Sequence, residues 1–297
     1  RSAAPNRPSR AAGCGYGCRS RRASRRRIIV PGIVAPVIHF SHANGFPAPC
    51  YEAMLAPLAR HYRIGWIEAI GTDPRYPPTE GWPHLVEQLI DVLERDHGGE
   101  PVYGVGHSLG AYLNFLAAAR RPELFRAIVL LDAPIIGAFK GRALGAVKRL
   151  GMVDRVTPAG MTRERRSVWT TREEAKAHFR SKKLFRHFTD ECLEHYVQHG
   201  LAGAPGGFRL LIDPEIEYLI YRTIPHGMGR HLRSLKVPAG FVGGVDSDVL
   251  RRVGLGAMRG PRFAKLRVPG GHLFPFEHPL LAAAAVEELL ATLSARS

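Results

Sequence analysis

The sequence predicts an α/β fold with a mostly parallel sheet that helices cover on both faces. Short apolar runs typical of strands alternate with longer amphipathic runs typical of helices over residues 28–133 and again over 235–297. This alternation is the pattern of a parallel sheet. Residues 134–234 are charged and helical in pattern, with scattered aromatic residues, so they predict a helical cap inserted between two halves of one core.

Each predicted element follows from local signals in the chain. The helix at 81–99, for example, has a proline near its start and glycines at its end. The other predicted helices are 49–59, 108–122 and 278–293. The predicted strands are two short runs within 28–40 around a Pro-Gly turn, then 62–70, 101–107, 125–132, 237–244 and 262–270.

The positive charge is concentrated at the start of the chain. The formal net charge is +16, and residues 1–27 contain nine arginines and no acidic residue. A segment of this composition cannot bury enough apolar surface to fold, so we expect a disordered basic tail. Three interpretations stay open for it: an arm for nucleic acid or anionic membrane, a targeting peptide, or an extension without function. The remaining charge is spread along the chain and is typical of a solvated surface, which makes nucleic acid an unlikely partner for the rest of the protein.

Neither a membrane span nor a metal site is expected. No apolar run reaches the roughly 18–20 residues that a spanning helix needs. The four cysteines, Cys14, Cys18, Cys50 and Cys192, lack the paired spacing of a zinc site. We therefore expect reduced thiols, a cytoplasmic protein, and no metal or other cofactor.

The strongest functional signal is Gly106-His107-Ser108-Leu109-Gly110. It fits G-x-S-x-G and lies between a predicted strand and a predicted helix, which is the context that gives this motif meaning. Glycines on both sides allow a turn sharp enough to leave Ser108 Oγ exposed at the end of the sheet. The alternative, a simple serine N-cap, would not need both glycines.

A serine hydroxyl needs a base, and a base needs an orienting carboxylate. His272 is the predicted base because its Gly-Gly-His loop follows the last predicted strand, whereas His278 reads as a helix-start residue. Asp246, in a G-x-x-D spacing at a strand end, is the favoured acid. Asp132, at the end of the preceding strand, is the alternative, because both give the chain order Ser, Asp, His.

The oxyanion hole needs two N–H donors. Leu109, directly after Ser108, is predicted to supply one. Phe46, after the sharp Asn44-Gly45 turn, is predicted to supply the other. His42 and Asn44 would orient this loop or contact substrate. The alternative is an ordinary Asn-Gly turn.

With these motifs the chain resembles the α/β-hydrolase superfamily over about residues 28–295. "HANGFP" at 42–47 is similar to the His-Gly oxyanion motif of that superfamily, "GHSLG" to its nucleophile elbow and "GGH" to its histidine loop. The resemblance implies an α/β-hydrolase core at 28–133 and 235–297, with the cap inserted after the sixth strand and a shortened N-terminal hairpin.

The resemblance also implies a function. It is that of a cofactor-independent serine hydrolase for a carboxylic ester or related small acyl substrate. Acyl transfer, C–C bond hydrolysis or ligand binding without catalysis are the alternatives on the same fold. The cap would supply an apolar pocket, with candidate lining residues Trp169, Phe179, Phe185, Phe188, Tyr196, Tyr218 and Tyr221.

Overall fold

The structure is a computed structural model, and it describes residues 35–260 and 263–295. Its strands, in chain order, are β1 (Val37–Ser41), β2 (Arg63–Trp66), β3 (Val102–His107), β4 (Phe125–Leu131), β5 (Val168–Trp169), β6 (Leu201–Ala204), β7 (Gly207–Leu210), β8 (Ala239–Gly244) and β9 (Phe263–Val268). Its α-helices are α1 (Glu52–Leu58), α2 (Pro83–His97), α3 (Leu109–Arg120), α4 (Ala138–Arg149), α5 (Val153–Val156), α6 (Ala159–Thr162), α7 (Arg172–Arg180), α8 (Asp190–His199), α9 (Pro214–Arg222), α10 (Asp248–Val253), α11 (Phe274–Glu277) and α12 (Pro279–Ser294).

Six of these strands form one sheet in the order β2-β1-β3-β4-β8-β9. Every neighbouring pair in it is parallel. The carboxyl ends of parallel strands meet at one edge of a sheet, so the loops that follow β3, β4, β8 and β9 converge there. The predicted α/β fold with a mostly parallel, helix-flanked sheet is confirmed.

The strands divide their side chains between two cores. In β4, Val129 and Leu131 pack with residues of α1 and α12. Ile128 and Leu130, on the opposite face, pack with residues of α2 and α3. This alternation follows from the two-residue period of a strand, and it explains why a sheet that is covered on both faces reads as a continuous apolar run.

The insertion between β4 and β8 differs in part from the expected all-helical cap. It contains α4 to α9 and also a small antiparallel sheet in the order β5-β7-β6. The chain reverses between β6 and β7 at Pro205-Gly206, where Gly206 has a φ of +78°. A Pro-Gly pair is a turn signal that identifies this hairpin from sequence. The insertion follows β4, which is the fourth strand along the chain among the described residues. The first predicted strand segment lies partly outside those residues and does not enter this count.

Some expectations fall on residues outside this description. They include the basic tail at 1–27 with Cys14 and Cys18. Cys50 and Cys192 are buried free thiols. In the part of the chain that the structure covers, no helix is both long and apolar enough to cross a membrane.

A buried histidine on β1 links the fold to pH. His39 is 1% exposed, and its Nδ1 lies 3.3 Å from Nε2 of His97 on α2. Burial, reinforced by the neighbouring His97, lowers the pKa of His39 from 6.5 to about 3, and Asp96 opposes this shift. His39 is therefore neutral in the folded protein.

We predict that His39 makes the fold sensitive to acid. Below about pH 6.5 the unfolded chain protonates this histidine while the folded chain does not, so the free energy of unfolding falls by about 1.4 kcal/mol per pH unit. As far as this histidine is concerned, the protein therefore keeps its full stability above pH 6.5. It loses stability as the pH falls from 6.5 towards about 3, the pKa of His39 in the folded protein. His39→Leu should reduce the loss of unfolding free energy between about pH 7.5 and about pH 5 by about 2 kcal/mol, measured by urea denaturation. The prediction is contradicted if the variant and the wild type lose the same unfolding free energy between the two pH values, whatever the absolute stability of the variant.

Candidate active site

Ser108 occupies the sharp turn between β3 and α3. Its backbone has φ 51° and ψ −109°, one of three positive φ values at non-glycine residues in the described chain. Such a conformation costs about 1–3 kcal/mol and persists only where the surroundings enforce it. Here the Ser108 N–H donates to Leu131 O at the end of β4 (3.0 Å), and the Gly110 N–H donates to His42 O (3.0 Å).

The two glycines of the motif are required by close backbone contacts. A Cβ atom at Gly106 would lie 2.5 Å from the backbone of α3, and one at Gly110 would lie 2.0 Å from Ser41 O. Strand β3, helix α3 and the end of β1 could not approach one another with side chains at these positions. The sharp turn that the two glycines predict is therefore the one that the backbone adopts at Ser108.

His272 reaches Ser108 from the loop after β9. Its Nε2 lies 3.1 Å from Ser108 Oγ. Gly270 in this loop has a φ of +101°, and the Gly271 N–H donates to the Glu277 carboxylate (2.8 Å). A Cβ at Gly244 would lie 2.3 Å from Gly271 O, so glycines on both loops let the ends of β8 and β9 meet closely.

The carboxylate beside His272 belongs to Asp132. Asp132 Oδ2 lies 2.7 Å from His272 Nδ1. The side chain is fully buried, and it also accepts hydrogen bonds from the Gly244 N–H (2.9 Å) and the Ser247 hydroxyl. Because an ionised carboxylate only accepts, Nδ1 of His272 carries the proton, and Nε2 has its lone pair free to accept from Ser108.

The preference for Asp246 is therefore corrected. Asp246 is exposed, and its N–H donates to Gly270 O (2.9 Å) as the chain leaves β8. Its strand-end position is real, but the turn directs it to solvent. β4 lies directly beside β3 in the sheet, and this places Asp132, the alternative, against the histidine.

The proposed oxyanion loop forms a β-turn over residues 43–46. The Phe46 N–H donates to Ala43 O (3.1 Å), and Gly45 has a φ of +79°, as a type II turn requires. Phe46 is thus corrected as an oxyanion donor, because its N–H closes the turn. In the described chain no acceptor engages the N–H of Asn44 or of Gly45. Leu109 N–H, at the first position of α3, has no acceptor within the helix.

His42 holds this turn from beneath. It is fully buried, its Nε2 accepts from the Ile70 N–H (2.7 Å), and its Nδ1 donates to Ala43 O (2.8 Å). Burial lowers the pKa of His42 from 6.5 to about 4, with the bond to Ala43 opposing the shift, so the ring is neutral. Of the two roles open to His42, the structure gives it the one of orienting the loop.

The insertion holds the turn from above. Asn44 Nδ2 donates to Glu217 O (2.9 Å), and the Tyr196 hydroxyl donates to Gly45 O (3.3 Å). A Cβ at Gly45 would lie 2.9 Å from the Glu217 carboxylate, which pairs with Arg165 at 2.6 Å. Burial raises the pKa of Glu217, while Arg165 opposes that shift. Asn44 therefore ties the turn to α9.

A chain of hydrogen bonds joins this turn to the His272 loop. The Ala43 N–H donates to the Tyr51 hydroxyl (3.2 Å), and Tyr51 Oη lies 2.7 Å from His107 Nδ1. His107 Nε2 lies 2.9 Å from His272 O. Since a carbonyl only accepts, Nε2 of His107 is the protonated nitrogen, and Nδ1 accepts from Tyr51. Burial, together with the neighbouring His272, holds the pKa of His107 well below 6.5.

The aromatic residues expected to line an apolar pocket are packed together instead. Phe188 stacks on Phe276 with ring centroids 4.7 Å apart, and Phe46 contacts both rings. Phe179, Phe185 and Tyr196 continue the same cluster, and Trp169 packs on Phe179. Tyr218 is also buried, whereas Tyr221 is half-buried. The five clustered residues belong to one buried core with Phe46 and Phe276, which is the commoner role of aromatic residues at helical spacing.

Sequence reasoning missed several residues that support the site. Ser247 was detectable in part, since a serine just before α10 is a typical N-cap, and its Oγ does accept from the Leu250 N–H (3.1 Å). Tyr51 and Glu277 carry no such local signal. Tyr51 contacts His107, which lies 56 positions away in the chain. Glu277 contacts Gly271, only 6 positions earlier, but an acidic residue in a short helix does not by itself indicate this bond.

The chain is similar in sequence to known proteins. A model of the alpha/beta hydrolase family matches residues 30–286. The monoglyceride lipase homolog of Monkeypox virus is 26% identical over 169 residues, which cover 50% of this chain and 61% of that protein. The chain thus spans less than two thirds of that relative.

Solved structures show the same fold. The crystal structure of E-2-(acetamidomethylene)succinate hydrolase has a TM-score of 0.69 and 19% identity, covering 86% of this chain and 91% of the other. A thioesterase domain from the curacin biosynthetic pathway has a TM-score of 0.65 and 20% identity, covering 86% and 91%. With a family model matched over most of its length, the chain belongs to the alpha/beta hydrolase family.

Proposed function

We propose that this protein is a cofactor-independent serine hydrolase that cleaves a carboxylic ester or a related acyl substrate. The observation that carries the proposal is the continuous row from Ser108 through His272 to Asp132, with contacts of 3.1 and 2.7 Å. Nucleophilic acyl transfer needs a nucleophile, a base and an orienting carboxylate that lie within hydrogen-bond distance of one another.

Acylation begins at Ser108. Its Oγ attacks the substrate carbonyl while Nε2 of His272 accepts the hydroxyl proton. Asp132 keeps Nδ1 protonated and stabilises the imidazolium that forms. His272 then donates the proton to the leaving group, and an acyl-enzyme on Ser108 remains.

The negative charge that develops on the carbonyl oxygen needs N–H donors. Leu109 N–H stands at the amino end of α3, where the helix dipole favours negative charge. We assign the second donation to the turn of Asn44 and Gly45, whose amides have no acceptor within the described residues. Donors of this kind each contribute about 10²–10³-fold to kcat in acyl-transfer enzymes.

Deacylation reverses the roles. Water enters as the nucleophile, Nε2 of His272 accepts its proton, and the same amides bind the second oxyanion. Ser108 is regenerated when the proton returns to Oγ. Apart from the substrate and the water, residues of this chain supply every group in these steps.

The substrate class rests on the chemistry of the site and on the relatives. The curated relatives include a monoglyceride lipase homolog and proteins described as esterases. These names favour an ester, and serine rather than aspartate at position 108 favours an acyl-enzyme over an alkyl-enzyme. We further propose that the substrate is a small acyl compound and that the protein is cytoplasmic. The buried free thiols of Cys50 and Cys192 fit a reducing compartment.

Tyr51 and His107 act as positioning residues in this scheme. They connect the oxyanion turn at Ala43 to the backbone of His272 through bonds of 3.2, 2.7 and 2.9 Å. Neither touches the reacting atoms. Their hydrogen bonds fix the distance between the oxyanion turn and the His272 loop, which lie on either side of Ser108.

We predict that Ser108→Ala and His272→Ala each lower kcat for p-nitrophenyl butyrate by about four to six orders of magnitude, because triad members act as a unit. The double variant should lose little more than either single variant. A fluorophosphonate should label Ser108 in the wild type and leave Ser108→Ala unlabelled. Turnover that survives in both single variants, in folded protein, would rule out this mechanism.

Asp132→Asn and Asp246→Asn separate the two candidate acids. We predict a loss of about 10⁴-fold in kcat for Asp132→Asn, since an amide favours the wrong tautomer of His272. Asp246→Asn, its matched control at an exposed position, should stay near wild type. Thermal unfolding of both variants checks that the fold is retained. The opposite order of effects would restore Asp246 as the acid.

Tyr51→Phe tests the positioning role. Loss of one hydroxyl leaves both the Ala43 N–H and His107 Nδ1 without partners, a cost of about 1–3 kcal/mol. We expect kcat to fall about tenfold or more, with a smaller change in KM. Tyr112→Phe is the matched control, because its buried hydroxyl donates to Pro134 O (3.0 Å) outside this chain of bonds. Equal losses in the two variants would reduce Tyr51 to a structural role.

A further inference from the structure

Two glycines of helix α4 lie close against the rest of the protein. A Cβ at Gly141 would lie 2.1 Å from His226 O, and one at Gly145 would lie 2.9 Å from the His226 ring. Both glycines are buried. Leu144 packs against the core on the same side of the helix, and the side chain of Lys148 is only 10% exposed. Other apolar side chains of α4 lie on its outer face.

That outer face carries an apolar stripe. Phe139 is 78% exposed and Leu150, directly after the helix, is 71% exposed. Ala143 and Ala146 are exposed between them. The spacing of 4, 3 and 4 residues places these four positions on one line along the helix, over a length of about 16 Å. An amphipathic helix of a globular protein normally turns such a stripe to the core. Here Phe139 and Leu150 are exposed instead.

Exposed hydrophobic side chains continue in the short helices α5 and α6 that follow along the chain. Eleven large hydrophobic side chains are exposed in the described residues, and five lie within 139–161: Phe139, Leu150, Met152, Val156 and Met161. We call this surface, with its flanking arginines, the α4–α6 face. Exposed apolar residues clustered in this way mark an interaction site.

The same segment is strongly basic. Residues 138–166 contain eight lysines or arginines and two acidic residues. Arg142, Arg149 and Arg155 are exposed, and none pairs with a carboxylate among the residues that the structure describes. The apolar stripe is thus bordered by cations whose charge is not neutralised.

We propose that the α4–α6 face binds the surface of a membrane that contains anionic lipids. A helix with phenylalanine and leucine on one side and arginines beside them lies in the interface of such a membrane, apolar side inward. The anionic headgroups would neutralise Arg142, Arg149 and Arg155 while the acyl region accepts Phe139 and Leu150. This inference does not depend on the proposed catalytic activity.

Other occupants fit the charge and shape less well. A second copy in a two-fold arrangement would bring the same three arginines of both copies together. The nine arginines of residues 1–27 would be repelled in the same way. A nucleic acid would satisfy the arginines but leave the apolar stripe in water.

The test is co-sedimentation of the full chain with phosphatidylcholine vesicles, with and without phosphatidylserine. The wild type should bind the anionic vesicles, and Phe139→Ser with Leu150→Ser should lower the partition coefficient about tenfold or more. Arg142→Gln with Arg149→Gln and Arg155→Gln should lower binding to the anionic vesicles by about as much or more. The matched control is Leu280→Ser with Leu281→Ser, which removes two leucines exposed by 67% and 48% on α12. The control should bind as the wild type does.

Residues 1–27 are present in every variant, so the differences between variants isolate the α4–α6 face. Binding that is unchanged in the Phe139 and Leu150 variant, or no binding of the wild type to anionic vesicles, overturns the proposal. Sedimentation velocity gives a second readout. A wild-type dimer that becomes a monomer in the Phe139 and Leu150 variant would make this face a self-association surface and would also overturn the proposal.

Discussion

Strand β3 and helix α3 cross at Ser108 with almost no space between their backbones, and the rest of the site is arranged around this crossing. Gly106 and Gly110 permit the contact. The positive φ of Ser108 is held by hydrogen bonds that its own N–H and the Gly110 N–H donate to backbone carbonyls at the ends of β4 and β1. Because the turn is rigid, Oγ has one direction in which to point. A base that approaches from the β9 loop can then be aligned with it by the packing of that loop and by the hydrogen bond to Asp132.

Histidines play two different physical roles around this crossing. His42 and His107 are buried, neutral rings whose two nitrogens each have a defined partner, so they act as rigid connectors between loops. His272 is partly exposed and bonds a carboxylate on one side and a hydroxyl on the other, which suits proton transfer. Burial makes a histidine a poor base and a good connector, and the fold uses both environments within a few ångströms.

The insertion contributes to the site from its inner side and presents a separate surface outside. Glu217 and Tyr196 on α9 and α8 hold the turn that carries the proposed oxyanion donors. The aromatic cluster around Phe46 fixes the same turn through packing. On the outer side, α4 exposes Phe139 and the adjoining Leu150, while its glycines face inward. One segment thereby links the geometry of catalysis to a surface suited to association.

The sequence by itself determined the layered α/β fold, the elbow at Ser108 and the approach of His272, because these depend on local periodicity, on glycine spacing and on the order of elements. Only the tertiary structure decided between Asp132 and Asp246, since both end a strand and the choice depends on which strand lies beside β3. The same holds for Phe46, whose N–H closes the turn over residues 43–46, and for Tyr51, whose partner His107 lies 56 positions away in the chain. The Pro-Gly pair indicates the turn between β6 and β7. The pairing of β7 with Trp169 in β5, however, joins residues almost forty positions apart. Contacts between distant segments depend on the packing of the whole chain, and no local pattern specifies them.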